Sequence, residues 1–414
     1  MKKVVIVGGG TAGWLTALFV QKFWGNTEVT LIESSKIGIL GAGEGVTPNF
    51  GSSLKLLEIP QSEFLIKTKS TIKTGLQFVN WRGDGKTTLH PFMGSSSYEI
   101  DVNNGYHMDA RLVASYFKDI ACDRGVIHID GEVSGFKRFG EDITEIILGD
   151  NTSIECDFIF DCSGFARLLI GKEYGTKWNS YEDDLIVNSA FAYFLPQESN
   201  ITNFSRTQTN LISMKNGWMW QAPLQHRWGC GYVFNDSYTT IEDAKKEVEE
   251  YIGKEIEIVK TFKYKAGCYD KCWVGNCIGI GLSTSFLEPM ESTAIMTAIM
   301  QLKRLIDTNF DILYRDRFNE YINCINEQNM LFVRYHYMCD RDDTQFWKDY
   351  KNRDIPTKLK NLLTNEGNIK VQTNEELMNL LETKETRINE LTFFISNYNT
   401  VFKKNSGNFK KHLI

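Results

Sequence analysis

The sequence predicts an α/β fold organised around a parallel sheet, and three features of its N-terminal stretch support this prediction. Residues 4–7 form a short, β-branched apolar run that is typical of a buried parallel strand. The pattern G-x-G-x-x-G over Gly8–Gly13 follows directly, and an apolar helical stretch comes after it. A second apolar run ends at Glu33, about 20 residues beyond the last glycine. This order of strand, glycine turn, helix and strand indicates a doubly wound sheet.

The glycine turn also indicates a dinucleotide site. Gly8, Gly10 and Gly13 permit a tight turn and let the backbone approach a pyrophosphate, which then lies at the positive end of the helix dipole. Glu33, at the tip of the second strand, is placed to accept hydrogen bonds from an adenosine ribose. The glycine pattern alone is weak evidence. Its position between a strand and a helix, with the acid in place, makes a dinucleotide cofactor the favoured interpretation.

Composition and charge argue against several classes of protein. The 414 residues carry a net charge of −6, with 42% hydrophobic and 24% charged residues. This balance is ordinary for a globular protein and gives no electrostatic reason to expect nucleic acid or an anionic membrane as a partner. No apolar run approaches the length of a transmembrane helix, and the first strand begins too early to leave room for a signal peptide.

The nine cysteines are predicted to be reduced thiols of a cytoplasmic protein. Their number is odd and they are scattered along the chain. Cys268, Cys272 and Cys277 come closest to a cluster, but their spacing is not that of a zinc site and no histidine lies near them in sequence. We therefore expect no metal centre.

Three features before residue 100 are candidates for a site. The stretch 37–50 is rich in glycine and fits neither a helix nor a strand. It is either a flexible surface loop or a strap against the cofactor, and we favour the strap. Lys73 lies just before a predicted strand, where an isolated lysine is usually a solvated surface charge. His90 and Phe92 flank a proline and form either one wall of an aromatic slot or part of an ordinary loop core.

The middle of the chain predicts a second sheet. An apolar strand over 158–160 runs into a polar turn at 161–167, which is expected to close the far side of the nucleotide site. From about 178 to 264 the pattern changes to alternating, aromatic-rich strands, which predicts an inserted antiparallel sheet. We therefore expect residues 1–310 to form the dinucleotide-binding domain, interrupted by this sheet, and residues 311–414 to form a helical C-terminal region.

An acidic segment precedes the last long helix of the first fold. The stretch Phe286–Ala294 contains Glu291 and leads into a helix whose apolar positions keep helical spacing. Ser292 or Thr293 is a natural N-cap, and the free N–H groups there make a small anion site. Glu291 would compete with a bound anion unless it points elsewhere, and a capping acid is the simpler interpretation of it.

These stretches together resemble the flavin-dependent halogenases of the tryptophan halogenase type, from residue 1 to about 351. The glycine turn with the following Trp14 is similar to the FAD motif of that family, and Gly217–Pro223 (GWMWQAP) is similar to its Trp-x-Trp-x-Ile-Pro signature. Further similar segments are the flavin strap at 43–48, the catalytic lysine segment at 72–81 and the catalytic glutamate segment at 287–293. The resemblance implies an FAD-binding Rossmann-like fold of the glutathione reductase type, like that of aromatic hydroxylases, with an inserted antiparallel sheet and a helical C-terminal part on the substrate side.

The resemblance also implies roles for particular residues. Lys73 and Glu291 would be the catalytic residues. The backbone N–H groups of Thr293 and Ala294 would hold the halide. Substrate contacts would come from His90, Phe92 and Ser292. The FAD contacts implied by the resemblance are Gly8, Gly10, Thr11, Ala12, Gly13, Glu33, Gly43, Glu44, Val46, Asp161 and Gly281.

In such an enzyme FADH2, O2 and chloride or bromide give hypohalous acid, which halogenates an electron-rich aromatic such as tryptophan or another indole derivative. Lys73 would aim the halogen, and Glu291 would stabilise the positive charge that develops in the ring. A separate flavin reductase is expected to supply FADH2, because the sequence has no second glycine fingerprint for NAD(P)H; a homodimer is left open. The chain has no tryptophan after Trp347 and has Ala294 where the family generally has glycine, so we expect an open substrate cavity and a changed halide pocket.

The sequence leaves two other functions open. A flavin monooxygenase would hydroxylate an aromatic ring, oxidise NAD(P)H by itself and show no halide dependence. A non-catalytic FAD-fold protein that binds a partner would give no product with reduced flavin, oxygen and halide, and Lys73 and Glu291 would then be ordinary charges.

Overall fold

The computed structural model describes residues 1–39, 41–92, 103–198, 206–339 and 341–359. Its helices are α1 (Thr11–Phe23), α2 (Pro48–Leu56), α3 (Gln61–Thr68), α4 (Ala110–Asp123), α5 (Ile241–Ile252), α6 (Thr293–Asp307), α7 (Arg315–His336) and α8 (Gln345–Asn352). Its strands are β1 (Lys2–Val7), β2 (Thr27–Glu33), β3 (Glu44–Val46), β4 (Thr71–Lys73), β5 (Gly75–Val79), β6 (Thr87–Pro91), β7 (Gly105–Met108), β8 (Ile127–Asp130), β9 (Val133–Phe139), β10 (Asp142–Leu148), β11 (Ser153–Glu155), β12 (Phe158–Asp161), β13 (Trp178–Ser180), β14 (Ser189–Pro196), β15 (Gln208–Met214), β16 (Gly217–Pro223), β17 (Arg227–Phe234), β18 (Ile258–Lys263), β19 (Gly267–Tyr269), β20 (Trp273–Val274), β21 (Cys277–Gly279) and β22 (Ser285–Phe286). The predicted C-terminal region beyond residue 359 lies outside the described residues.

The N-terminal fold is built on a parallel sheet with the strand order β21-β12-β1-β2-β8, and β20 pairs antiparallel at the β21 edge. β1 has a parallel partner on each side, which explains why its apolar run is buried. The carboxyl ends of β1, β2 and β12 meet at one edge of this sheet, and the glycine turn lies there. The predicted α/β fold is confirmed, and this edge is where a nucleotide site belongs.

The inserted strands β14 to β18 pair antiparallel, as predicted, but the second sheet extends beyond them. Its strand order is β18-β14-β17-β16-β15-β5-β6, so strands from residues 75–91 join those expected between 178 and 264. β5, from outside the predicted segment, pairs parallel with β15, so the complete sheet is mixed. The sequence pattern missed this because alternation within a strand reports which face is buried and carries no information about the partner strand. The pairing brings β4, which carries Lys73, beside the inserted sheet.

The helical C-terminal part packs on one face of the second sheet. Trp218 and Trp220 lie on the same face of β16, as their spacing predicts, and share a buried cluster with Tyr337 and Trp347. α7 supplies one side of this cluster and leads into the site. Among the helices of the described residues, none is both long enough and apolar enough to cross a bilayer.

A strap formed by residues 41–46 connects the two folds. Nη2 of Arg227, on β17, donates to the carbonyl oxygen of Gly41 and to Oδ2 of Asp109, each over 2.6 Å. Gly43 has a φ of +90°, and a Cβ there would lie 2.6 Å from Cα of Gly229 on β17. The strap therefore lies directly on the second sheet, and this segment is a fixed strap rather than a surface loop.

Replacing Gly43 by alanine is expected to destabilise the protein, because the new methyl group would meet the backbone of Gly229 in a conformation that disfavours side chains. We expect a loss of about 1–3 kcal/mol in the free energy of unfolding, the usual cost of overpacking. Gly38→Ala is the matched control, since Gly38 also has a positive φ of +67° but nothing lies within 4 Å of its added Cβ. Thermal unfolding of both variants tests the prediction, and equal melting temperatures would contradict it.

Candidate active site

The glycine turn is packed as tightly as its sequence predicts. Gly8 has a φ of +114°, and a Cβ on it would lie 2.3 Å from the carbonyl oxygen of Cys162. A Cβ on Gly13 would lie 1.8 Å from the carbonyl oxygen of Gly8. Side chains at these two positions would push α1 away from the end of β1. The glycines are therefore needed for the turn itself, independently of any ligand.

The N-terminus of α1 has the properties of an anion site. Its N-cap is Gly10, which supplies no side-chain cap, and a Cβ there would meet nothing within 4 Å. Oγ1 of Thr11 is buried and has no hydrogen-bond partner in the part of the chain that the structure describes. Open space, free first-turn N–H groups and an unpartnered hydroxyl together suit a pyrophosphate.

Glu33 lies beside this turn. A Cβ on Gly9 would lie 1.6 Å from its Oε2, so the carboxylate leans over the glycine turn. Oε1 of Glu33 accepts from Nζ of Lys118 over 3.1 Å and lies 3.0 Å from Nε2 of His128. These contacts hold the carboxylate at the tip of β2, where a ribose would meet it.

Two predicted FAD contacts have other tasks in the structure. Both oxygens of Asp161 accept bonds from the following loop: Oδ1 from Ser163, and Oδ2 from the backbone N–H groups of Leu169 and Ile170. Glu44 is buried and accepts from backbone N–H groups at 42 and 110, over 3.2 and 3.1 Å. These carboxylates order the protein backbone, and their predicted contact with FAD stays a prediction.

The remaining predicted FAD contacts lie close to the same edge. The turn at Gly281 faces the start of α1, where its added Cβ would lie 3.4 Å from Cβ of Ala12. Val46 is buried on β3 and pairs with Tyr106 on β7. Their backbones, rather than functional side chains, are what a cofactor could meet.

Lys73 is completely buried, contrary to the usual behaviour of lysine. Its Nζ donates to Oγ of Ser292 over 2.9 Å and lies 5.4 Å from the ring centroid of Phe92. A Cβ on Gly45 would lie 2.8 Å from Nζ, so the strap covers the amine directly. Burial lowers the pKa of Lys73 to about 8, and the nearby Glu291 carboxylate only partly offsets this. The site thus holds an amine that titrates close to neutral pH.

Glu291 is buried in a backbone turn of unusual conformation. Glu291 and Ser292 have φ values of 59° and 60°, so two successive residues with side chains adopt the left-handed region just before α6. Each such residue costs on the order of 1–3 kcal/mol. The turn directs Ser292 to Lys73 and places Glu291 between two histidines, so the strain occurs where the candidate catalytic groups meet.

Two imidazoles hold the Glu291 carboxylate. Nδ1 of His90 lies 2.7 Å from its Oε1, and Nε2 of His336 lies 3.1 Å from the same atom. Burial by itself raises the pKa of Glu291, but the charges and hydrogen bonds of the two histidines outweigh burial and hold the pKa well below its usual range. His90 therefore contacts Glu291 directly; its predicted stacking role toward a substrate stays a prediction.

His336 was not found by sequence reasoning. It follows Glu291 by 45 residues and belongs to another helix, so no local spacing links the two. The same holds for Tyr337, whose hydroxyl donates to Glu288 over 2.9 Å and accepts from Nε1 of Trp218 over 2.9 Å. Only the packing of α7 on β16 brings these groups to the 288–292 segment.

The predicted halide site lies at the start of α6. Thr293 is buried there and Ala294 is half-buried, in the first turn, where backbone N–H groups have no partner within a helix. Ser292 is the N-cap, as predicted, but its hydroxyl makes no capping bond and accepts from Lys73 instead. No group of three or more His, Cys, Asp or Glu side chains among the described residues is arranged to hold a metal ion.

Comparison with known proteins assigns the family. A family profile described as "Tryptophan halogenase" matches residues 3–104 and 93–402. The chain belongs to the tryptophan halogenase family. Tryptophan 7-halogenase RebH of Lentzea aerocolonigenes is 28% identical to this halogenase over 417 residues, which cover 84% of this chain and 78% of RebH. Its relatives thus share most of its length.

Solved structures agree with this assignment. The flavin-dependent halogenase Xcc4156 from Xanthomonas campestris is 29% identical, with a TM-score of 0.81, covering 90% of this chain and 85% of Xcc4156. BrvH, a flavin-dependent halogenase from Brevundimonas sp. BAL3, is 26% identical with a TM-score of 0.80, covering 97% of this chain and 90% of BrvH. The halogenase described here is therefore an FADH2-dependent enzyme of this family, which uses chloride or bromide.

The residues of this halogenase fit FAD. The open helix N-terminus with its unpartnered Thr11 hydroxyl suits the pyrophosphate, and Glu33 suits the adenosine ribose. Gly8 and Gly13 allow the close backbone approach that the pyrophosphate needs.

Glu33→Ala is expected to weaken FAD binding, because it removes the charged acceptor beside the glycine turn. A hydrogen bond to a charged group contributes about 1.5–3 kcal/mol, which corresponds to a roughly 10- to 100-fold higher Kd. Flavin fluorescence titration measures this change. Glu28→Ala, at the far end of the same strand, is the control and should bind FAD like the unmodified protein. Equal affinities of the two variants would refute a role for Glu33.

Proposed function

We propose that this halogenase acts on a small, electron-rich aromatic compound of the tryptophan or indole class, with Lys73 and Glu291 as its catalytic residues. The observation that carries the proposal is the burial of both groups at one point: Lys73 contacts Ser292, the residue next to Glu291. Ionisable groups are buried together at high cost, and such sites are usually functional. When bound, FADH2 supplies, with O2 and halide, the electrophilic halogen.

Lys73 is assigned the task of holding and activating hypohalous acid. An N–H of its Nζ donates to the oxygen of this acid and passes a proton to it, so that water leaves as the halogen is transferred to a ring carbon. A pKa of about 8 suits a proton donor that works near neutral pH. The strap residue Gly45 covers the amine and keeps water away from it.

Glu291 is assigned the complementary task. As the halogen bonds to the ring, positive charge develops there, and the ionised carboxylate stabilises it and accepts the ring proton. Its low pKa keeps Glu291 in the ionised form. The halide is proposed to bind at the backbone N–H groups of Thr293 and Ala294, close to Glu291 in sequence.

The substrate class rests on relatives and on the wall of the site. RebH is a tryptophan 7-halogenase, and KtzR from Kutzneria sp., 28% identical, is a 7-chloro-L-tryptophan 6-halogenase. The Phe92 ring, next to Lys73, is a flat surface suited to an aromatic substrate, and Ser292 is a polar contact beside it. We propose residues 1–310 as the FAD-binding part, interrupted at about 178–264, with the rest on the substrate side.

We also propose a separate flavin reductase as the source of FADH2 and the cytoplasm as the site of action. The sequence shows one glycine fingerprint and no second one for NAD(P)H. The test combines the protein with a flavin reductase, FAD, NADH and bromide, and a panel of indoles and phenols. Mass spectrometry should show the paired bromine isotopes in a product. Hydroxylated product, or NADH oxidation without added reductase, would contradict the proposal.

Lys73→Ala is expected to reduce halogenated product below about 1% of the unmodified level, the size of effect that loss of a general acid produces. FADH2 oxidation should continue, because the substitution leaves the glycine turn intact. Lys67→Ala removes an exposed lysine on α3 and should keep full activity. Product formation by the Lys73 variant at the control rate would remove the assigned role.

Glu291→Gln is expected to lower kcat about 10²- to 10³-fold, because the amide cannot offset the charge that develops in the ring. Glu288→Gln is the control in the same turn. Burial raises the pKa of Glu288 to about 8, although Tyr337 donates to it, so it is largely neutral at pH 7 and glutamine mimics it. Single-turnover halogenation separates the two variants, and equal losses would argue that Glu291 has only a structural part.

A further inference from the structure

Both ring nitrogens of His336 make a hydrogen bond. Its Nδ1 lies 2.8 Å from the carbonyl oxygen of Phe332, one turn earlier on α7, and its Nε2 lies 3.1 Å from Oε1 of Glu291. A carbonyl oxygen and a carboxylate oxygen are both acceptors, so each ring nitrogen must carry a proton for both bonds to form. The geometry therefore calls for the imidazolium form of His336 beside an ionised Glu291.

The ring of His336 is held in place by packing on two sides. The Phe78 ring, from β5, stacks on it at 5.1 Å between centroids and 27° between planes. The Phe332 ring meets it edge-on at 4.7 Å and 79°. A buried ring fixed by two aromatic neighbours and a backbone bond loses little further freedom when it binds a carboxylate. This packing fixes the direction in which Nε2 points toward Glu291.

The two histidines use only one of the carboxylate oxygens. His90 and His336 both contact Oε1. Within the described residues, no hydrogen bond engages Oε2 of Glu291. Holding Oε1 from two directions fixes the rotation of the carboxylate plane, so Oε2 is the oxygen left for a substrate.

We propose that His336 is a positioning residue for halogenation: it fixes the Glu291 carboxylate and leaves Oε2 to accept the ring proton of the substrate. This inference rests on the proposed function and goes beyond it by assigning the two carboxylate oxygens and the residue that orients them. His336 itself contacts neither the reacting carbon nor the halogen; it acts through Glu291. The titratable groups around it are Glu291 on the turn before α6, His90 on β6 and, beyond Glu291, Lys73 on β4.

The first test compares two substitutions of His336. His336→Phe keeps a flat ring against Phe78 but has no donor, and His336→Gln keeps an N–H donor without the ring charge. We expect kcat to fall about 30-fold or more in the phenylalanine variant and to be partly recovered in the glutamine variant, with KM and FADH2 oxidation unchanged in both. Circular dichroism and thermal unfolding check that both variants fold. His226→Gln, at a half-buried histidine in the turn between β16 and β17, is the substitution control and should keep full kcat.

A double-mutant cycle then asks whether His336 acts through Glu291. If it does, His336→Phe should cost little or nothing more in the Glu291→Gln background, because the carboxylate it orients is already gone. A structural defect would instead lower kcat by the same factor in both backgrounds. Additive losses, or full activity of His336→Phe alone, would overturn the proposal.

A readout that does not need turnover uses the protein without flavin. Proton-coupled ¹⁵N spectra of ¹⁵N-histidine-labelled protein, with His336→Gln to assign the signals, should show a proton on both ring nitrogens of His336, as the two hydrogen bonds require. Glu291→Gln should remove the proton from Nε2. A single-proton imidazole in the unmodified protein would overturn the proposal even if the enzyme halogenates. If the NMR result holds but no halogenated product forms, the proposed function fails and the His336–Glu291 pair stands.

Discussion

The structure depends on keeping an amine and a carboxylate buried together without neutralising either one completely. Lys73 is fully buried and Glu291 is 4% exposed. Each would lose several kcal/mol of hydration if it were alone. The environment treats them differently: burial outweighs its partners at Lys73 and lowers its pKa to about 8, whereas the histidines outweigh burial at Glu291 and lower its pKa too. One group is thus close to titration and the other is firmly ionised, a combination that suits proton donation at one end of the site and charge stabilisation at the other.

The strap makes this arrangement depend on both folds. It is held to β17 by the contact of Gly43 with Gly229 and by Arg227, which bonds to Gly41 and Asp109. The same strap passes over the Lys73 amine at Gly45. A displacement of the strap would therefore open the amine to water and raise its pKa toward that of an ordinary lysine. The low pKa of Lys73 therefore depends on the contacts that hold the strap on the second sheet.

The Trp-x-Trp motif supports the site through a buried chain of hydrogen bonds. Trp218 looks like a wall residue in the sequence, but its indole N–H donates to Tyr337, which in turn donates to Glu288. Glu288 lies two residues before the Met290–Ser292 turn, which contains Glu291. A buried hydrogen-bond chain of this kind is directional and tolerates little displacement. It connects the second sheet to the strained backbone that orients the Glu291 carboxylate, and so helps to offset the cost of two successive left-handed residues.

Local sequence was sufficient for the N-terminal βαβ unit, the nucleotide edge of its sheet and the segments that carry Lys73 and Glu291. These features are decided by short-range requirements: positive φ at Gly8, period-2 or period-3.6 burial, and a helix start after Ser292. Local pattern did not reveal that Asp161 orders the loop that follows it, because an acid beside a turn has the same signature whether it orders backbone or contacts a cofactor.

Tertiary structure alone decided how the site is assembled. The parallel pairing of β5 with β15 places Lys73 beside the second sheet, and α7 brings His336 to Glu291 across 45 residues of sequence. Strand pairing and helix packing between distant segments are chosen by the total burial and hydrogen bonding of the fold, which no single segment encodes. The sequence by itself therefore determined which groups are available for the chemistry, and the packing determined that two imidazoles hold one carboxylate oxygen of Glu291 while no described residue hydrogen-bonds to the other.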